Sequence, residues 1–197
     1  MKNTELLELS QNMKLSALNV LNSLDVVNIC HSAGAAVNIV GSFKTGLMLN
    51  HRDIDLHIYT DEPMIEKSFS VMKEIAGKKG LRDVQYKNLL DTKEDCIEWH
   101  LWYEDETGIT WKLDIIHIRK GSFYEGFFEK VSERIIERLT PETKEVILQI
   151  KYELGEESKV PGIQIYHAVL EHGINNYVDF IQWSEKNPVD AILEWTP

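Results

Sequence analysis

Only two cysteines occur in the chain, Cys30 and Cys96. Two thiols cannot build the disulfide frame of a small secreted protein, so reduced thiols and a cytoplasmic setting are the expectation. Positive charge is also short. Lys and Arg number 21 against 32 Asp and Glu, which leaves a formal net charge of −11 and a pI near 5.1. No Lys/Arg cluster is large enough to neutralise a long phosphate backbone, and duplex nucleic acid is not an expected partner. A small nucleotide accompanied by metal ions is compatible with an acidic chain. No stretch approaches the ~20 apolar residues of a membrane span. The opening residues, "MKNTELLELSQNMK", lack the apolar core of a secretory leader. No membrane contact is expected.

What the chain does have is enough apolar residue, 43%, to bury a core. Leu15, Leu18, Leu21 and Leu24 read as one helical face, which predicts a helix over roughly 4–31 with a break. "AAVNIV" (35–40) reads as a short strand ending at Gly41, and "GLML" (46–49) as one helical turn. "DIDLHIYT" (53–60) alternates acid and apolar, a strand with two distinct faces. Ile65, Phe69, Met72 and Ile75 recur at helical spacing, with Gly80 as the expected stop. "VQYKNLL" (84–90) reads as a strand. "CIEWHLWY" (96–103) and "ITWKLDIIHI" (109–118) form a hairpin around "EDETG". Pairing Tyr103 with Ile109 puts the tryptophan-bearing faces together and sets Glu98 opposite Asp114, and His100 opposite Lys112.

Beyond residue 120 the pattern is helical. Phe127, Val131 and Ile135 make one stripe. Thr140 is an expected N-cap before Pro141. Val146, Ile147, Ile150 and Leu154 make another stripe, "GEESKVPG" (155–162) reads as a linker, and 163–172 and 176–186 read as two further helices. The expected fold class is α/β (α+β): a mixed sheet with helices on one side, spanning 1–120, and a helical C-terminal region, 121–197. No Pro/Gly-rich stretch marks the boundary.

The acids carry the chemistry. Asp53 and Asp55 point to the same side of their strand, with Cβ atoms roughly 6.5–7 Å apart. Carboxylates so placed converge on hard cations, and Mg²⁺ takes oxygen ligands while keeping substrate phosphates in its shell. Asp114 interrupts an otherwise apolar strand and is the candidate third acid. Gly41 permits a positive φ and close approach. Backbone N–H groups there, with the Ser42 hydroxyl, can cradle a phosphate. Lys44 and Arg52 are candidate phosphate contacts. His57, on the Asp53/Asp55 face, reads as a polar neighbour, and His117 has the wrong parity to join Asp114. Trp99, Trp102 and Trp111 read as hairpin core.

Gly41-Ser42, ten intervening residues, Asp53-Ile54-Asp55 and a later lone Asp114 together resemble the polymerase-β-like nucleotidyltransferase superfamily. The resemblance covers roughly 35–118. It implies an enzyme that transfers a nucleoside monophosphate from an NTP co-substrate to an acceptor and releases pyrophosphate. It further implies two Mg²⁺ (or Mn²⁺) ions held by Asp53, Asp55 and Asp114, with Gly41 and Ser42 on the phosphates. A small molecule or a partner protein is the expected acceptor, and a homodimer is a further expectation. Two rivals share the acids: a non-catalytic, nucleotide-binding or antitoxin-type partner on the same fold, and a glycosyltransferase that uses Asp-x-Asp to hold a nucleotide-sugar. The upstream Gly-Ser pair and the third carboxylate count against the glycosyltransferase.

Overall fold

A computed structural model describes residues 3–189 and 192–197. The first helix, α1 (Asn3–Leu24), is followed by α2 (Val26–Ser32), with Asp25 between them at φ 56°. The buried face of α1 is Leu6, Ser10, Ala17, Val20, Leu21 and Leu24, whereas Leu15 and Leu18 are 53% and 43% exposed. The expected leucine stripe is thus half wrong. Steps of three residues precess by about 60° around a helix of 3.6 residues per turn, so four leucines at such steps span about 180° and cannot share one face.

Five strands form one sheet: β1 (Val37–Ile39), β2 (Asp53–Thr60), β3 (Leu81–Asn88), β4 (Cys96–Glu104) and β5 (Thr110–Arg119), ordered β1-β2-β5-β4-β3. β2 and β5 run parallel, and the other neighbours are antiparallel. Alternation divides the sheet into two faces. Ile54, Leu56, Trp99, Leu101, Leu113 and Ile115 lie on the apolar face, which packs under α1, α2 and α4 (Ile65–Ala76). The other face carries Asp53, Asp55 and Asp114.

Three local expectations change. The short helix here is α3 (Gly41–Thr45), so it begins at Gly41 itself, and 46–49 is irregular. α4 stops at Gly77, not Gly80, which instead leads into β3. Ile65 and Phe69 are exposed, although the Phe69 ring still packs on Tyr86 and Trp99. In the hairpin, Tyr103 pairs with Trp111, His100 with Asp114 and Glu98 with Ile116. The register therefore slips by two residues from the expected one, which preserves both faces. The slip has a local cause. The Asp105 carboxylate accepts from Thr107 N, Thr107 Oγ1, Ile109 N and Trp111 Nε1, organising a loop one residue later than expected.

A second cluster of buried residues holds the helices α5 (Phe127–Arg138), α6 (Pro141–Leu154), α7 (Gly162–His172) and α8 (Tyr177–Lys186). Thr140 caps α6 in a reciprocal box with Thr143. Leu6 of α1 and Leu47 and Leu49, just after α3, also belong to this cluster. The chain between β1 and β2 is therefore held from the sheet side and the helix side at once.

Candidate active site

Val40 follows the last residue of β1 and caps α3, and its N–H donates to the Asp55 carbonyl at 3.1 Å. This bond holds the start of α3 against β2. Gly41 sits at φ +66°, and a Cβ there would collide with Asp55 Oδ2. Glycine is required twice over, by the backbone and by the neighbouring carboxylate. The first N–H groups of α3 have no acceptor within the helix. They border a cavity of about 580 Å³, lined among others by Gly41, Ser42, Asp53, Asp55, Glu98 and Asp114.

Asp55 and Asp114 are direct register partners on the parallel strands β2 and β5. Like charges in that position repel unless something neutralises them. The like-charged pair expected from the hairpin, Glu98 with Asp114, is replaced by this one. Burial, and next the Asp114 and Asp53 charges, push the Asp55 carboxyl up to about 7. Burial is also the main cause that raises Asp53, with Lys112 working against it. Both shifts report a site that disfavours bare carboxylate charge and so favours an added cation.

Asp114 is held from two sides. Its Oδ1 lies 2.6 Å from His100 Nδ1, and Lys112 Nζ donates to Oδ2 at 2.9 Å. His100 Nε2 in turn lies 3.5 Å from Glu98 Oε2. Among the described residues, no group of three His, Cys, Asp or Glu side chains stands ready to hold a metal ion. The donor set nevertheless suits a hard cation. Three carboxylates on adjacent same-face positions line one cavity, and rotation of Asp114 away from Lys112 would free an oxygen.

The other expected site residues separate. Lys44 is exposed and Arg52 lies 3.6 Å from Glu156, and neither lines the cavity. His57 is buried, 3.3 Å from the Tyr59 hydroxyl and edge-on to Phe128, and burial lowers its pKa to about 4. It is a neutral wall residue. His117 points to the opposite face and pairs with Thr60 at 2.7 Å. Trp99 and Trp111 are buried in the sheet's core cluster, and Trp102 is half-buried beside Lys112.

One functional candidate escaped the sequence reading. Lys151 of α6 lines the cavity and donates to Leu47 O at 2.7 Å and Tyr166 OH at 2.9 Å. Its charge helps to offset both Asp53 and Asp55. In sequence it is one lysine of a helix, far from Asp53 and Asp55, and nothing local distinguishes it.

No family model matches the chain, and no curated protein does. Solved structures do. The GLD-2/RNP-8 complex matches with TM-score 0.57 at 11% identity, over 98% of this chain and 74% of that one. A cytoplasmic RNA terminal U-transferase gives 0.54 at 14%, over 84% and 51%. The Cid1 poly(U) polymerase with MgGTP bound gives 0.50 at 18%, over 74% of this chain and 42% of that one. The chain spans less than half the length of that last protein. The chain shares the fold of these proteins.

Proposed function

We propose that the chain is a metal-dependent nucleotidyltransferase. The observation that carries this reading is the meeting of Asp53, Asp55 and Asp114 on one cavity that abuts Gly41 and Ser42. The core of this enzyme is the segment 1–120, and the helical region 121–197 supplies the facing wall. Asp53, Asp55 and Asp114 would hold two Mg²⁺ or Mn²⁺ ions, which neutralise charge on the attacking and leaving oxygens. The backbone at Gly41 and the Ser42 hydroxyl hold the β- and γ-phosphates of the NTP. Lys151, already inside the cavity, takes the part expected of Lys44 and Arg52.

The transfer is an in-line displacement. The acceptor hydroxyl gives up its proton, with Asp114 as the nearest base, and its oxygen bonds to the α-phosphorus. The bond from that phosphorus to the α–β bridging oxygen breaks, and its electron pair leaves with pyrophosphate. His100 holds Asp114 Oδ1, which anchors the carboxylate while its other oxygen turns from Lys112 toward the cavity. The MgGTP named with the Cid1 structure supports an NTP with a divalent ion as co-substrate. A second reading takes an RNA 3′ end as acceptor, supported by the RNA terminal U-transferase.

The test is incubation of the purified chain with each labelled NTP, Mg²⁺ and acceptor, scored by pyrophosphate release. Asp53→Asn and Asp55→Asn should each lose about 10²–10³-fold or more in rate. Undiminished release in both variants would remove the mechanism. Metal-dependent NTP binding with no transfer to any acceptor would favour a non-catalytic partner.

A further inference from the structure

The apolar face of the sheet is not filled evenly. Between α2 and α4, over the later residues of β2 and β5, it carries a second, smaller hollow of about 330 Å³. Small side chains leave this space. Ala33, Gly34 and Ala35 follow α2, and Ser68 of α4 lines the same hollow. A Cβ added at Gly34 would meet nothing within 4 Å. Protein interiors are close-packed, and a gap of this size forfeits contacts along its whole lining. Its volume is that of a small-molecule site.

Two buried polar side chains in the lining have hydrogen-bonding capacity left over. Ser68 is 5% exposed, and its Oγ accepts from Trp99 Nε1 at 2.8 Å. Among the described residues nothing accepts the Ser68 hydroxyl hydrogen in return. His117 uses Nε2 on Thr60 Oγ1, and its Nδ1 has no partner among the described residues. Ser122 Oγ is the one buried side-chain N or O without a partner among them. The unpaired Nδ1 is therefore not sealed in protein, and it opens into the hollow that His117 lines.

Between these two groups the floor is apolar, made by Ile58, Met72 and Ile115. The charged lining residues, Asp61, Glu62 and Lys67, are exposed and so belong to the mouth. A charged body on the floor would lose its hydration with no counter-ion beside it. We propose that the hollow is a second ligand site, across the sheet from the acids, for a small uncharged molecule. An apolar ring lies against Ile58, Met72 and Ile115, and a carbonyl oxygen accepts from the Ser68 hydroxyl. This site does not depend on the nucleotidyltransferase reading.

The experiment titrates the full chain with three probes of one shape: benzamide, ethylbenzene and benzoate. Binding is read from the methyl signals of ¹³C-labelled methionine, with Met72→Leu assigning the Met72 signal. Benzamide should shift that signal saturably, and benzoate should not. Ser68→Ala should weaken benzamide about fivefold, the worth of one neutral hydrogen bond, and leave ethylbenzene within about twofold. Ala33→Phe, a change at an exposed position of the rim, should block both neutral probes. No saturable shift with benzamide would overturn the proposal. So would benzoate binding as tightly as benzamide, or equal loss of benzamide and ethylbenzene in Ser68→Ala. Benzamide binding unaltered by both variants would place the probe in the acid cavity and would also overturn it. Should Ser68→Ala fail to fold, Ala33→Phe and the contrast of benzamide with benzoate decide.

Discussion

At the residue scale the site is built from groups that work against stability. Asp53, Asp55 and Asp114 are half-buried carboxylates that crowd one another, a cost that bound cations would relieve. Asp55→Asn should therefore stabilise the metal-free protein at pH 7 by roughly 1–3 kcal/mol while abolishing transfer. Urea unfolding in EDTA measures the first, and pyrophosphate release the second. A variant less stable than the parent would show that the crowding is not felt. Gly41 gives the opposite case. Gly41→Ala puts a Cβ at φ +66° against Asp55 Oδ2; the backbone alone costs about 1–2 kcal/mol. The variant should melt lower and bind Mg²⁺-NTP more weakly, because relief of the collision moves the phosphate turn away from the acids. These residues were legible in the sequence because an Asp-x-Asp, a Gly-Ser turn and an acid in an apolar strand are local signals. Lys151 was not legible. It reaches the cavity only because α6 packs beside the chain segment after α3, and its partner there is a main-chain oxygen, Leu47 O, which leaves no trace in sequence.

At the scale of elements, strand parity was easier to read than strand register. The alternation of Ile97, Trp99, Leu101 and Tyr103 against Trp111, Leu113 and Ile115 identifies which faces meet, and any slip by two residues satisfies it equally. What selects among those slips is the loop. Asp105 answers two backbone N–H groups, a hydroxyl and the Trp111 indole, and "EDETG" does not announce which of its acids will do so. Removing Asp105 should cost about 1–3 kcal/mol, since the part-buried Trp111 indole loses its acceptor. Because the hairpin sets His100 opposite Asp114, Asp105→Ala should also lower kcat more than it raises the KM for the NTP. Urea unfolding and steady-state kinetics on the same preparation check both. A stability loss with unchanged kcat would mean that the strands hold register without the loop. The helices were easier to read. Thr140-Pro141 starts α6 as expected, since a cap and a proline act within a single turn. The leucine stripe of α1 misled because spacing by three alone does not define a face, whereas Ala17, Val20, Leu21 and Leu24 together do.

At the scale of the whole molecule, the sheet separates two environments that differ in chemistry. One face takes the acids and the cavity. The other is a core cluster packed under α1, α2 and α4, and His117 faces that side. His117 is 8% exposed, shares a 2.7 Å contact with Thr60, and burial lowers its pKa from the ordinary histidine value to about 4. The unfolded chain binds a proton at this residue near pH 6.5, while the folded chain resists until about 4. Between those values the unfolded state holds more protons, so stability rises with pH across this window. The contribution is whole above pH 6.5 and is lost as the pH falls through about 4. Its ceiling is about 3 kcal/mol, from 1.36 kcal/mol per pKa unit. Among the described residues no helix is long and apolar enough to cross a membrane. Urea midpoints at pH 7.5, 6.0, 5.0 and 4.5 compare the parent with His117→Gln, which keeps a side chain able to meet Thr60. The variant should lose less stability on acidification, since Asp55, whose raised pKa acts in the opposite sense, is common to both. The cavity lies across the sheet from His117, so transfer at pH 7.5 should be nearly unaltered in that variant. If the variant kept the full acid slope, the proton uptake would belong elsewhere, with His57 beside Phe128 the next residue to replace.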